Sequence, residues 1–118
     1  MNEAAARPWP LELRLDAAKS TLTVVFDTGE RFALPAEYLR VESPSAEVQG
    51  HSPGQKQIVT GKQAVRIEAL EPVGNYAVRI RFDDAHDTGL FSWDYLLELG
   101  REQRAKWAAY VKAAGREN

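Results

Sequence analysis

Residues 71–93 constrain the fold of this chain most strongly, because they combine a turn, a strand pattern and a helix start. Residues 72–75, with the order Pro-Val-Gly-Asn, predict a hairpin turn, since glycine and asparagine tolerate the backbone angles of tight turns. Ser92 is a suitable N-cap for a helix that begins at Trp93. Between the turn and the helix, large apolar residues alternate as they do in a half-buried strand: Tyr76, Val78, Ile80 and Phe82. This stretch therefore predicts a strand hairpin that leads into a helix.

The strand before this turn has the same alternation, and its pairing determines the charge on the exposed face. If Leu70 lies opposite Ala77, the pairs that follow place Glu68 opposite Arg79 and Arg66 opposite Arg81. Arg66, Arg79 and Arg81 would then form a basic stripe. The stripe is either ordinary solvated surface or a contact for an acidic partner or RNA, although it has few of the interleaved aromatic residues typical of single-strand binders.

The two ends of the chain complete the predicted fold. Apolar alternation over residues 11–15, 22–26 and 31–34 indicates an antiparallel meander, and Pro35 can open a short helix over residues 35–40. Apolar residues on one helical face predict one bent helix over residues 93–113 or two consecutive helices, in which Gly100 either permits close packing or ends the first helix. The predicted fold is α+β. A small antiparallel sheet of five or six strands packs against a C-terminal helical segment.

Length and composition favour one domain of ordinary globular type. At 118 residues, with 44% hydrophobic and 27% charged side chains, the chain can bury a core without cross-links. We predict a flexible leader over residues 1–10, one domain over residues 11–114 and a tail over residues 115–118. The net charge of −2 gives no drive toward nucleic acid. No apolar run approaches the roughly 20 residues of a membrane helix. Because a secretory signal and cysteine are both absent, we expect a cytoplasmic location.

Three segments, residues 39–45, 71–76 and 84–93, resemble a known family. It is the N-terminal domain of gamma-butyrobetaine hydroxylase, which also occurs alone in bacteria as a domain of unknown function. The resemblance covers nearly all of residues 11–107 and implies the same α+β fold. In the hydroxylase domain, three cysteines and one later histidine hold a zinc ion. The matching positions here are Ser43, Ser45, Val48 and His86. Only the histidine remains, so the resemblance implies a cysteine-less variant whose zinc site is lost and whose loop is held by hydrogen bonds and packing.

His86 has two interpretations. It is either a turn histidine that hydrogen-bonds the loop over residues 43–48, in which case no cofactor is expected, or a ligand in a rearranged zinc or iron site. Two histidines and a carboxylate suit such metals, so the second interpretation groups His86 with His51 and Asp84. Glu47, Asp83 and Asp87 are further carboxylates that such a site could use. The recurring spacings of known metal sites, such as His-Glu-x-x-His, are absent.

Two other features of the sequence bear on function. Residues 43–57 are rich in proline and glycine and predict a long surface loop, a type of segment that is often functional. Trp9, between two prolines, either folds back onto the sheet or belongs to a contact surface. A triad of Ser92, His86 and Asp84 would make a small hydrolase, but nothing like a nucleophile elbow accompanies it. We therefore expect that the chain is not an enzyme.

The leading functional prediction is a non-catalytic interaction or accessory module with a protein partner. In the hydroxylase the similar domain sits beside the catalytic domain, and similar domains are appended to P-loop ATPases that handle iron–sulfur clusters. The resemblance therefore implies an adaptor in metal or iron–sulfur protein assembly. The alternatives are the metal-binding protein described above and a small hydrolase. An exposed edge strand at residues 11–15 could support a homodimer. Membrane and nucleic-acid partners are not expected.

Overall fold

A computed structural model describes residues 8–50 and 54–116, which form two three-stranded antiparallel sheets and four helices. The first sheet contains β1 (Pro10–Leu15), β2 (Thr21–Phe26) and β3 (Arg31–Pro35) in that order. The second contains β4 (Ile67–Val73), β5 (Ala77–Phe82) and β6 (Gly89–Ser92). The helices are α1 (Ala36–Val41), α2 (Ala46–Gln49), α3 (Trp93–Arg101) and α4 (Gln103–Ala113). The α+β class is confirmed.

The six strands form two sheets rather than the single sheet predicted from the sequence. β2 and β5, the middle strands of the two sheets, contribute alternating side chains to one shared core, as the alternation in the sequence predicted. The fully buried residues of these strands are Leu22, Val24, Phe26, Val78, Ile80 and Phe82. The start of β4 is tied to the turn after β1 by a hydrogen bond from Ile67 N to Lys19 O of 2.8 Å. Alternation identifies the buried face of each strand but not its neighbours, so the split could not be predicted.

The β4–β5 hairpin has a different register from the predicted one. Val73, rather than Leu70, lies opposite Ala77, and Glu71 lies opposite Arg79. The prediction was wrong because it assigned Pro72 to the turn. β4 is an outer strand of its sheet, and proline, which lacks an N–H, is tolerated on such strands. The strand therefore continues through Val73, and the turn is shorter than predicted.

The C-terminal segment is two consecutive helices, one of the two predicted arrangements. The break lies at Glu102, while Gly100 lies inside α3 and is buried. A Cβ at Gly100 would overlap with the ring carbons of Phe32 on β3, so the glycine permits close packing of helix on sheet. Within the described part of the chain, none of the helices combines the length and apolar character needed to cross a bilayer.

Ser92 caps α3, as predicted from the sequence. Its side chain accepts a hydrogen bond of 3.1 Å from Tyr95 N. We expect Ser92→Ala to lower the free energy of unfolding by about 1 kcal/mol, because one helix N–H loses its partner. Ser92→Asp, which keeps an acceptor at this position, is the matched control and should retain most of the stability. Urea denaturation of the three proteins measures both differences, and equal losses in the two variants would contradict the capping role.

Candidate functional site

His86 lies in the turn that joins β5 to β6 and is buried, with 4% of its surface exposed. Its Nε2 lies 2.9 Å from Ser43 Oγ, and its Nδ1 lies 3.0 Å from Glu47 Oε1. The turn is fixed by Phe82 N, which donates to His86 O at 3.0 Å. The histidine therefore contacts the loop over residues 43–48, as one of its two interpretations requires, and both ring nitrogens have partners.

The surroundings of His86 favour its neutral form. Burial lowers the pKa of this imidazole, and the nearby Arg40 guanidinium lowers it further, whereas Glu47 and Asp84 act in the opposite direction without reversing the shift. A neutral imidazole has one N–H donor and one acceptor nitrogen. Because a carboxylate only accepts, Nδ1–H donates to Glu47 and Nε2 accepts the Ser43 hydroxyl proton. Ser43 Oγ in turn accepts from Ser45 N at 3.3 Å, so the chain of bonds is consistent.

The lowered pKa of His86 predicts a pH dependence of stability. Above its ordinary value of 6.5 the imidazole is neutral in both folded and unfolded chains. As the pH falls below 6.5 the unfolded chain binds a proton first, so the free energy of unfolding falls until the folded pKa is reached. We expect urea midpoints to decrease from pH 7.5 to pH 5.5, and His86→Asn to remove most of that decrease. His51→Asn is the control for the other histidine; if it alone flattened the profile, the assignment to His86 would be wrong.

The segment after α1 is buried where it meets His86, in contrast to the predicted surface loop. Ser43, Ser45 and Val48 are all buried, and Ser45 caps the short α2 by accepting from Glu47 N at 3.1 Å. Ser45 Oγ also lies 2.7 Å from Thr88 Oγ1. The segment also packs closely against β6, since a Cβ at Gly89 would lie 2.5 Å from Ser43 Oγ. The prediction was wrong for these three residues, because proline and glycine mark turns without showing which side chains face solvent, whereas residues 54–57 are exposed as predicted.

Asp84 lies two residues before His86 and forms ion pairs with two basic side chains. Its Oδ2 lies 2.8 Å from Arg40 Nε and 2.6 Å from Lys62 Nζ, and its Oδ1 accepts from His86 N at 3.1 Å. Burial by itself would raise the pKa of Asp84, but the hydrogen bonds from Lys62 and Arg40 outweigh it and hold the pKa at about 2. Arg40 Nη1 is buried and has no hydrogen-bond partner in the described part of the chain. Asp84 is therefore the anion that balances Arg40.

The predicted basic stripe is interleaved with glutamates. Arg79 Nη1 lies 3.4 Å from Glu71 Oε1, and Arg81 contacts Glu71 at 3.3 Å and Glu68 at 3.5 Å. Arg66 is exposed just before β4. The observed hairpin register places Glu71 between the two arginines of β5. Because Arg79 and Arg81 are already paired with glutamates of the same sheet, they provide less positive charge for an acidic partner than the sequence suggested.

An exposed aromatic surface lies at the other end of the fold; we call the side chains of Trp9, Leu11, Pro72, Tyr76 and Trp93 the Trp9 surface. Trp9 and Trp93 meet edge to face with ring centroids 6.3 Å apart, and Trp9 and Tyr76 remain 47% and 55% exposed. The Trp9 backbone is fixed by two hydrogen bonds with Asp27, at 3.2 and 2.9 Å. Trp93 Nε1 donates to Asn75 O at 2.9 Å. Trp9 thus both folds back and stays accessible.

Tyr76 and Trp93 were not predicted to belong to a surface. The alternation of Tyr76 with Val78 suggested an inward side chain. The helical face of Trp93 suggested a core position, and Trp93 is indeed partly buried against the core, although one side of it lines this surface. Tyr76 instead belongs to the hairpin turn, because the register differs from the predicted one. The only sequence signal for this surface was Trp9 beside two prolines.

The profile of the family described as "Gamma-butyrobetaine hydroxylase-like, N-terminal" matches residues 13–97. The chain belongs to this family. A crystal structure of a protein with unknown function from Acidithiobacillus ferrooxidans, which belongs to the DUF971 family, is 41% identical. That match covers 77% of this chain and 91% of that chain, with a TM-score of 0.65. No curated protein matches the chain.

Two NMR solution structures are also similar to this member of the hydroxylase-like family. One is 44% identical with a TM-score of 0.78, and the match covers 100% of this chain and 90% of that chain. The other is 45% identical with a TM-score of 0.76, and the match covers 92% of this chain and 90% of that chain.

The family resemblance raises the question of whether the residues present fit a zinc ion. Ser43, Ser45 and His86 do converge, but two hydroxyls, the aliphatic Val48 and one imidazole lack the ligand strength that zinc requires. Within residues 8–50 and 54–116, no group of three His, Cys, Asp or Glu side chains is placed to hold a metal ion. Asp84 is bound to Arg40 and Lys62. His51, the other predicted ligand, lies outside the described residues.

Proposed function

We propose that this chain is a non-catalytic protein-interaction module of the cytoplasm whose contact surface is the Trp9 surface. The observation that carries the proposal is the exposure of two aromatic side chains, Trp9 and Tyr76, whose backbones are held by hydrogen bonds to Asp27 and Trp93. Aromatic residues are enriched at the centres of protein interfaces, and contiguous exposed apolar surface marks interaction sites.

The polar cluster around His86 supports a structural use of those residues. Both imidazole nitrogens have partners, and Asp84 binds two cations, so neither side chain is left as a free base or nucleophile. The family resemblance extends the proposal to an adaptor that serves metal or iron–sulfur proteins. No observation on the described residues favours the metal-binding alternative over this one.

Photo-crosslinking in living cells tests the proposal. Tyr76 is replaced by p-benzoylphenylalanine, and Ile58, an exposed apolar residue that lines a different cleft, receives the same group as the matched control. We expect a discrete adduct from position 76 that is absent from position 58 and is lost when Trp9→Ala is added. Mass spectrometry of the adduct shows whether the partner is an iron–sulfur protein. The same adducts from both positions, or none from position 76, would refute the proposed surface.

A further inference from the structure

We propose that a cleft at the junction of α3 and α4 binds a small organic carboxylate. The cleft has a volume of about 570 Å³, which is within the size range of small-molecule sites. Its walls come from the end of β3, the start of α1 and the two C-terminal helices. It shares no residue with the Trp9 surface, so this inference goes beyond the function proposed above.

The apolar wall of the cleft is held in place by contacts within the protein. Tyr38 is almost fully buried, and its hydroxyl donates to Leu99 O at 2.7 Å. The Tyr38 ring meets the Trp107 ring edge to face, with centroids 6.2 Å apart. Pro35 and Gly100 also line the cleft. Because these contacts already fix α1 against the two helices, a ligand would not have to order the wall, which favours binding.

The charges of the lining select an anion. Two of the three charged side chains in the lining are balanced inside the protein. Glu37 accepts a hydrogen bond from Arg116 Nη1, and Arg101 donates to both carboxylate oxygens of Glu30, at 2.8 and 2.7 Å. The third, Arg104, has no ion pair or side-chain hydrogen bond within residues 8–50 and 54–116. The uncompensated charge of the cleft is therefore positive.

The polar groups beside Arg104 add further hydrogen-bond donors. The Gln103 side-chain amide and the Trp107 indole N–H have no hydrogen-bond partner in the described part of the chain. Gln103 and Trp107 are four residues apart in α4, and Arg104 and Trp107 are three apart, so all three lie on one face of the helix. Guanidinium and indole groups only donate, whereas a carboxylate only accepts and can bind a guanidinium with both oxygens. A carboxylate with an apolar body therefore matches both the donors and the wall.

Solution NMR with phenylacetate as the probe tests this proposal. We expect phenylacetate to shift the indole N–H resonance of Trp107, but not those of Trp9 and Trp93, which meet each other in another part of the fold. The dissociation constant should be about 1 mM, as expected for a ligand of about ten non-hydrogen atoms.

Three related compounds separate the charge of the probe from its ring. Benzylamine and phenethyl alcohol keep the ring but carry a cation or a neutral hydroxyl in place of the carboxylate, and inorganic phosphate carries negative charge without a ring. Each should bind at least about tenfold more weakly than phenylacetate, because charge-assisted hydrogen bonds and apolar contact are both needed.

Variants locate the charge that holds the probe. Arg104→Gln and Lys112→Gln each remove one exposed positive charge from α4, but only Arg104 lines the cleft. We expect Arg104→Gln to weaken phenylacetate binding about tenfold, and Lys112→Gln to change it by less than about twofold. Glu30→Gln should strengthen binding about threefold, because Arg101 then loses the carboxylate that balances its charge. A general loosening of the fold would not produce such a gain.

Three results would overturn the proposal. They are the lack of any shift at Trp107 with phenylacetate up to about 20 mM, binding of benzylamine as tight as that of phenylacetate, and equal losses in Arg104→Gln and Lys112→Gln. Urea denaturation first shows that each variant is folded. If Arg104→Gln does not fold, the comparison of phenylacetate with benzylamine on the wild type decides. None of these results bears on the crosslink from position 76, so the proposed function stands or fails separately.

Discussion

An Asp84→Ala variant is expected to lose about 3 kcal/mol of its free energy of unfolding, because breaking a largely buried ion pair leaves an uncompensated charge. The Arg40 and Asp84 side chains are only 12% and 18% exposed, and Lys62 is bound to the same carboxylate oxygen. Arg40 also has a buried Nη1 without a hydrogen-bond partner among residues 8–50 and 54–116, so no second carboxylate in these ranges replaces the lost one. Urea denaturation at pH 7 measures the loss.

Two further variants separate charge from other effects. Asp87→Ala, at an exposed aspartate three residues away, is the matched control and should change stability by less than about 0.5 kcal/mol. Asp84→Asn keeps a hydrogen-bond acceptor and should fall between the wild type and Asp84→Ala. If Asp84→Ala cost no more than Asp87→Ala, the cluster would contribute nothing to stability.

The same carboxylate predicts part of the acid sensitivity. The folded pKa of Asp84, about 2, lies below the ordinary value of 3.8. Its stabilisation is therefore fully present above pH 4 and is lost as the pH falls through about 2, because the unfolded chain binds the proton first. The stability of Asp84→Ala should decline less over this range than that of the wild type.

Gly100→Ala is expected to destabilise the fold by about 2 kcal/mol, although alanine is the better helix former. The gain in helix propensity is about 1 kcal/mol. The added Cβ would overlap with the carbons of the Phe32 ring that lie closest to the Phe32 backbone. Either the ring or α3 must therefore move. Overpacking of this kind costs about 1 to 3 kcal/mol, and a rigid sheet on one side and a helix on the other favour the upper part of that range.

A double-mutant cycle with Phe32→Ala isolates the steric term of Gly100→Ala. Without the ring, the glycine substitution should become stabilising by about 0.5 to 1 kcal/mol, because only helix propensity remains. A Gly100→Ala effect of the same sign and size in both backgrounds would show that close packing against Phe32 is not the reason for the glycine.

The sequence predicted the elements of this fold better than their arrangement. The alternation at Leu22, Val24 and Phe26 marked β2 and its buried face, and Ser92 marked the start of α3. The division into two sheets and the hairpin register depend on long-range packing and on an outer strand that tolerates Pro72, and neither has a local signature.

Part of the candidate site could not be predicted from the sequence either. His86 and Ser43 were linked through the family resemblance, which compares whole segments. Arg40 lies 44 residues before Asp84, and Glu47 lies 39 residues before His86. The sequence analysis named Glu47 only as one of several carboxylates that could join His86 at a metal site, and it did not link Arg40 to Asp84, because charged side chains at such separations are too common to be paired from one sequence. The chain's membership of the family was therefore predictable, while the ion pair that occupies this part of the fold was not.

The order of the strands has a consequence for how fast the chain folds. Every strand pairs only with its neighbour along the chain, and the longest connection inside either sheet is the six residues 83–88. Closing such short loops costs little chain entropy, and proteins dominated by local contacts fold quickly for their size. We therefore expect the two meanders to form first, and their docking across residues 36–66, which buries the side chains of β2 and β5 in one core, to be the slower step.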